Sequence, residues 1–102
     1  MDDLTKKNPG RAFDKSKAQF AHPDDISVDS FAEAMKDKLL RSREEKGRGG
    51  WQTASAVHLT YLLLEHLEKG DPVDVANFAM MLHQNGQSID DVVVLAYRKA
   101  AG

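Results

Sequence analysis

The chain contains no cysteine. That excludes disulfides, thiolate metal sites and a cysteine nucleophile, and it fits a reducing compartment. Long apolar runs are also missing. Near the middle, Leu62-Leu63-Leu64 is as far as one extends, against the roughly 20 residues that a spanning helix needs. No membrane partner is expected. The opening Met1-Asp2-Asp3-Leu4-Thr5-Lys6-Lys7 has charges without an apolar stretch behind them, unlike a secretory signal. The expected location is cytoplasmic. Neither sign of charge dominates: the net charge is -2 over 102 residues. Without a basic excess there is no general surface for neutralising phosphates, which argues against a nucleic-acid partner.

What is present is helical periodicity. It predicts an all-α fold, a small domain of three to four helices with a central αα-hairpin. Residues 1–26 differ from the rest. They hold two of the three prolines, Pro9 and Pro23, and few apolar residues. Such a segment cannot bury enough surface to offset its ordering entropy, so 1–26 is read as a flexible polar tail and 27–102 as the helical domain. Phe13 and Phe20, seven residues apart, form a candidate anchor stripe for a partner.

The first helix is predicted over 28–46. Val28, Phe31, Ala32, Met35 and Leu39 recur at helical spacing, Ser30 and Glu33 have capping-box spacing with Ser27 as a rival cap, and Gly47 ends the pattern. The second is predicted over 53–69, with Ala56, Leu59, Leu63 and Leu67 as its stripe and Val57, Tyr61 and Leu64 widening it. The third has the strongest start signal: Asp71 as N-cap, Pro72 at the first helical position and Asp74 in the first turn. Val75, Phe78, Ala79, Met81 and Leu82 form its apolar face, and Asn85-Gly86 ends it. Only Gly70-Asp71 separates these two helices, which predicts an antiparallel hairpin. Residues 89–101 carry the β-branched run Val92-Val93-Val94, compatible with a strand. A lone strand would have nothing to pair with, so a fourth helix is expected, with Ser88 and Asp91 at capping-box spacing. Asn77 falls among buried positions and needs a partner; His66 or the loop at 47–50 is the expected one.

Three sets of residues are candidates for chemistry. His22, His58, His66 and His83 make no His-Glu-x-x-His pattern; His66 and His83 could meet across the hairpin, but no metal site is assigned. Glu65, Glu68, Asp71 and Asp74 are spaced by threes. With His83, the first three would make a minimal magnesium hydrolase, although Asp71 and Asp74 already serve as cap and dipole partner and Glu65 and Glu68 read as a solvated face. No catalytic residue and no cofactor are assigned. The third set is the candidate ligand site: Arg41, Arg43, Arg48, Gly49, Gly50 and Trp51. Glycine-rich backbone can aim N–H groups at an anion, arginine binds phosphate in bidentate fashion, and tryptophan can stack on a base. The competing reading of the same residues is a solvated helix end, a turn and a core tryptophan.

The strings Phe31-Ala32-x-x-Met35-x-x-Lys38-Leu39, Gly47-Arg48-Gly49-Gly50-Trp51 and His66-Leu67-Glu68-Lys69-Gly70-Asp71-Pro72-Val73-Asp74-Val75-Ala76-Asn77-Phe78-Ala79-Met80-Met81-Leu82 resemble a family of short phage and prophage proteins. The likeness, over about residues 31–86, is to the N-terminal domain of phage-type dATP/dGTP diphosphohydrolases. In longer relatives the catalytic acids belong to a separate MazG-like domain, so the resemblance implies a non-catalytic accessory module. Its expected partner is a purine nucleotide or a nucleotide-metabolising enzyme. The alternative is a phage-encoded protein that binds and modulates a host enzyme or defence complex. The helical domain is small, and assembly into a homo-oligomer would enlarge its core.

Overall fold

The computed structural model describes residues 21–102; the expected Phe13 and Phe20 stripe and most of the expected tail lie outside the described residues. The described residues form four α-helices and one short 3-10 turn, without strands: α1 (Pro23–Lys46), the 3-10 turn (Trp51–Thr53), α2 (Ala56–Lys69), α3 (Pro72–Gln84) and α4 (Asp91–Ala101). The all-α expectation holds, and the 92–94 run is helical. The chain divides into a unit ending at Ser30 and a unit Phe31–Gly102.

In the first unit, α1 begins at Pro23 rather than at residue 28. The signal was in the chain: proline at the first helical position, then Asp24 and Asp25 against the positive end of the dipole. The Asp24 N–H donates to His22 Nδ1 at 3.0 Å, so His22 does the capping that Ser27 or Ser30 was expected to do. Residues 23–26 therefore belong to a helix and not to the tail.

In the second unit, the α2–α3 hairpin forms as expected. Gly70 adopts φ 85° and donates its N–H to the carbonyls of His66 and Leu67, a left-handed stop that favours glycine. Asp71 then caps α3 by accepting from the Val73 N–H at 2.9 Å. Between the helices lies the core, Leu59, Leu63, Met81 and Leu82, flanked by Leu39, Trp51, Leu64, Val75 and Phe78. The apolar stripes are narrower than predicted. Leu67, Val57 and Tyr61 of α2 are exposed, and so is Ala79 of α3. Thr60 and Asn77 are buried instead. The hairpin packs on the side of α2 that carries Leu59, Thr60 and Leu63, which turns the flanking apolar residues outward.

The two buried polar side chains join elements. The Thr60 hydroxyl, wholly buried, accepts from the Asp90 N–H at 2.9 Å and so sets where α4 starts. Asp90, rather than the expected Ser88–Asp91 pair, caps α4 by accepting from the Val93 N–H at 2.9 Å. The Asn77 amide donates to the Met35 carbonyl of α1 at 3.3 Å, not to His66 or the glycine loop. His66 is occupied elsewhere: its Nδ1–H donates to the Leu62 carbonyl at 2.8 Å and its ring lies 4.8 Å from that of Phe78.

A second anchor on α1 is Lys38. Its ammonium lies 2.5 Å from Asp71 and 3.2 Å from both oxygens of Asp74. The cap of α3 is thus also the ion-pair partner of α1. This pairing, chiefly the hydrogen bond to Asp71, raises the Lys38 pKa above 10.5. The Lys38 ammonium and then the Val73 N–H lower that of Asp71 below 3.8.

Two predictions follow from this packing. Leu59→Ala should destabilise the domain by about 2–5 kcal/mol through a core cavity, and Thr60→Val by about 1–3 kcal/mol by stranding the Asp90 N–H; urea denaturation followed by circular dichroism measures both. The ion pair adds a pH dependence. The Asp71 contribution is complete above pH 3.8 and is lost as pH falls through its lowered folded value. The Lys38 contribution is complete below pH 10.5 and is lost as pH rises through its raised value. In a plot of urea midpoint against pH, Lys38→Met should weaken the fall on both limbs; an unchanged profile would show that the pair adds no stability.

Candidate functional site

The residues singled out as a ligand site stand at the end of α1 and in the link to α2. Arg41 and Arg43 are two apart on one helix, about 200° around its axis, so they do not share a face. Arg41 lies 3.8 Å from Asp37. Arg43 lines a shallow groove along α1 with Glu33, Lys36, Asp37 and Leu40, where the two carboxylates oppose an anion. Glu33 is itself paired with Lys36 at 3.1 Å. The fold therefore does not gather the three arginines at one point.

The loop is built as a helix stop. Gly47 has φ 63°; its N–H donates to the Arg43 carbonyl, and that of Arg48 to the Ser42 carbonyl. These two N–H groups serve α1's last carbonyls, the pattern of a glycine-terminated helix. Gly49 and Gly50 are exposed, and Gly50 with φ 78° turns the chain into the 3-10 turn. Arg48, Gly49 and Gly50 remain the part of the loop with room for an anion.

Trp51 faces the other way. It is half-buried and packs against the Leu59–Leu82 core. Its carbonyl accepts from the Asn85 amide at 3.0 Å and from the Ala54 N–H at 3.0 Å. The Gln87 amide donates to the Ala54 carbonyl at 3.0 Å. Asn85 and Gln87, on the link from α3 to α4, thus clasp the 3-10 turn. Thr53 closes that turn with its hydroxyl on the Gly50 carbonyl, so α2 starts at Ala56 under Ser55, whose side chain accepts from the His58 N–H at 3.1 Å. The predicted start at Thr53 was early for this reason. Asn85-Gly86 reads in the sequence as a helix end, and nothing there showed that Asn85 also fastens Trp51.

The acidic set does not converge. Asp71 is engaged by Lys38 and Val73, and His83 by Gln84 at 3.3 Å. Glu68 lies beside the Tyr97 hydroxyl and, with burial, pushes its pKa up to about 12. Among the described residues, no three histidine, aspartate or glutamate side chains form a group able to hold a metal ion. None of the described helices is long and apolar enough to cross a membrane.

The chain's single tryptophan reports on the clasp. Asn85→Ala should cost about 1 kcal/mol and raise iodide quenching of Trp51 fluorescence. Quenching equal to that of the unaltered protein would mean that core packing alone holds the ring.

No protein-family model, curated protein or solved structure matches the chain.

Proposed function

We propose that the chain is a non-catalytic binding module whose partner is a protein, and that it acts in the cytoplasm as a phage or prophage accessory factor. One observation carries the binding role. Among the described residues, four apolar side chains are buried while ten large ones are exposed, Phe31, Leu40, Tyr61, Leu67 and Val92 among them. Single exposed apolar residues are ordinary, but ten large ones around so small a buried core support a surface that meets another protein. The resemblance of the segment from Lys69 to Leu82 to an accessory domain of phage-type dATP/dGTP diphosphohydrolases makes a nucleotide-metabolising enzyme the partner class. A host enzyme or defence complex is the alternative within the same reading.

A second reading, direct binding of a purine nucleotide, is favoured by the exposed Arg48-Gly49-Gly50 stretch. It asks for a base to stack on Trp51, whose half-buried ring already packs on the core. The protein-partner reading asks for no such rearrangement.

An NMR titration of the labelled chain with dATP, dGTP and pyrimidine nucleotides separates the two. The expected result is a silent spectrum at millimolar nucleotide, together with partner capture that survives Arg48→Ala and falls at least about tenfold, some 1.4 kcal/mol, in Phe31→Glu. Saturable shifts at Arg48 to Trp51, abolished by Arg48→Ala, would replace the protein partner with the nucleotide.

A further inference from the structure

Helix α4 has two unlike faces. Val93, Val94 and Tyr97 are half-buried on a helix that packs against α2. On the other side Val92 is 71% exposed and Leu95 52%, with Ile89 at 53% just before the helix. These residues, with Asp91, Val94 and Arg98, line one shallow groove. Within this groove a carboxylate and a guanidinium bracket Val92, Val94 and Leu95, with Ile89 beyond the carboxylate. Among the described residues, neither charge is in an ion pair.

The spacing of the two charges is what names the occupant. Asp91 and Arg98 are seven residues apart, two helical turns, so they lie on nearly the same side about 10 Å apart along the axis. Their midpoint falls between Val94 and Leu95, the last two apolar residues of the groove. A two-fold axis through that midpoint lays a second α4 antiparallel on the first. It sets Asp91 of each copy opposite Arg98 of the other, and Val94 of each opposite Leu95 of the other. A surface that is complementary to itself in charge order and apolar placement is what an isologous two-fold contact requires.

We propose that α4 is a self-association surface: two copies of this chain dock antiparallel through Val94 and Leu95, and each Asp91 pairs with Arg98 of the other copy. The domain's small core gives it something to gain, because the groove adds buried apolar area that four core residues do not supply. One eleven-residue helix offers less than the ~800 Å² per partner of a standard interface. The dimer is accordingly weak and concentration-dependent. This contact is separate from the partner binding proposed above and stands or falls without it.

Sedimentation equilibrium of the full chain from micromolar to millimolar concentration tests it. The expected result is a reversible monomer–dimer equilibrium. Asp91→Arg alone and Arg98→Asp alone each place like charges opposite one another and should weaken the dimer at least about tenfold, some 1.4 kcal/mol. An equimolar mixture of the two variants restores both opposite-charge pairs and should recover a one-to-one dimer. Leu95→Glu, on an exposed position of a helix, should be monomeric with an unchanged far-ultraviolet circular dichroism spectrum, which covers the case in which a charge reversal perturbs folding. A chain monomeric at millimolar concentration overturns the proposal. So does a dimer whose dissociation constant is indifferent to Leu95→Glu, or a variant mixture that associates no better than its components.

Discussion

Everything in the compact unit hangs on the contact between α2 and α3. Leu59 and Leu63 from one helix and Met81 and Leu82 from the other are its buried apolar residues. Among the described residues, neither α1 nor α4 contributes a buried apolar side chain. With so few buried groups, hydrophobic burial is sufficient to hold a hairpin together but does little to say where other elements attach. The attachment is therefore assigned to polar groups placed at the hairpin's edges.

Each peripheral element has such a point. α1 is held by the Lys38 ion pair to Asp71 and Asp74 and by the Asn77 amide on the Met35 carbonyl. α4 starts where the Thr60 hydroxyl meets the Asp90 N–H. The 3-10 turn is fastened by Asn85 and Gln87. Directional bonds of this kind add little net stability when made and cost more when broken at a buried site. They fit the task of selecting one arrangement among several that would cover the core about equally well. Asp71 has two tasks, capping α3 and pairing with Lys38, so the start of one helix and the docking of another are the same event.

The helices, the hairpin and its two-residue link could be read from the chain because their signals are local. Asp71-Pro72 and Gly70 act on backbone within a few residues of themselves, and the structure places them as expected. The start of α1 at Pro23 is announced by Pro23-Asp24-Asp25, but the same proline and charges also fit a polar tail, so composition alone places the helix start too late. Leu67, Val57 and Ala79 fit the apolar faces by spacing yet are exposed, because periodicity gives a face its width but not how much of that face a neighbour covers. The partner of Asn77 was beyond local reading altogether, since Met35 is forty-two residues away. The same limit applies to the ligand site. Arg41, Arg43 and Arg48 are neighbours in sequence, yet helix geometry separates the first two, and the Trp51 carbonyl is bonded by the Asn85 amide, thirty-four residues away.

The link of Gly70 and Asp71 has a kinetic consequence. Loop-closure entropy rises with the length of chain that must be closed, and domains whose contacts are local in sequence fold quickly. Here the four core residues lie within one stretch from Leu59 to Leu82, so the hairpin can close without waiting for either end of the chain. The route open to this sequence is a small nucleus assembled first, with α1 and α4 then registered onto it by the polar groups that the closed hairpin presents.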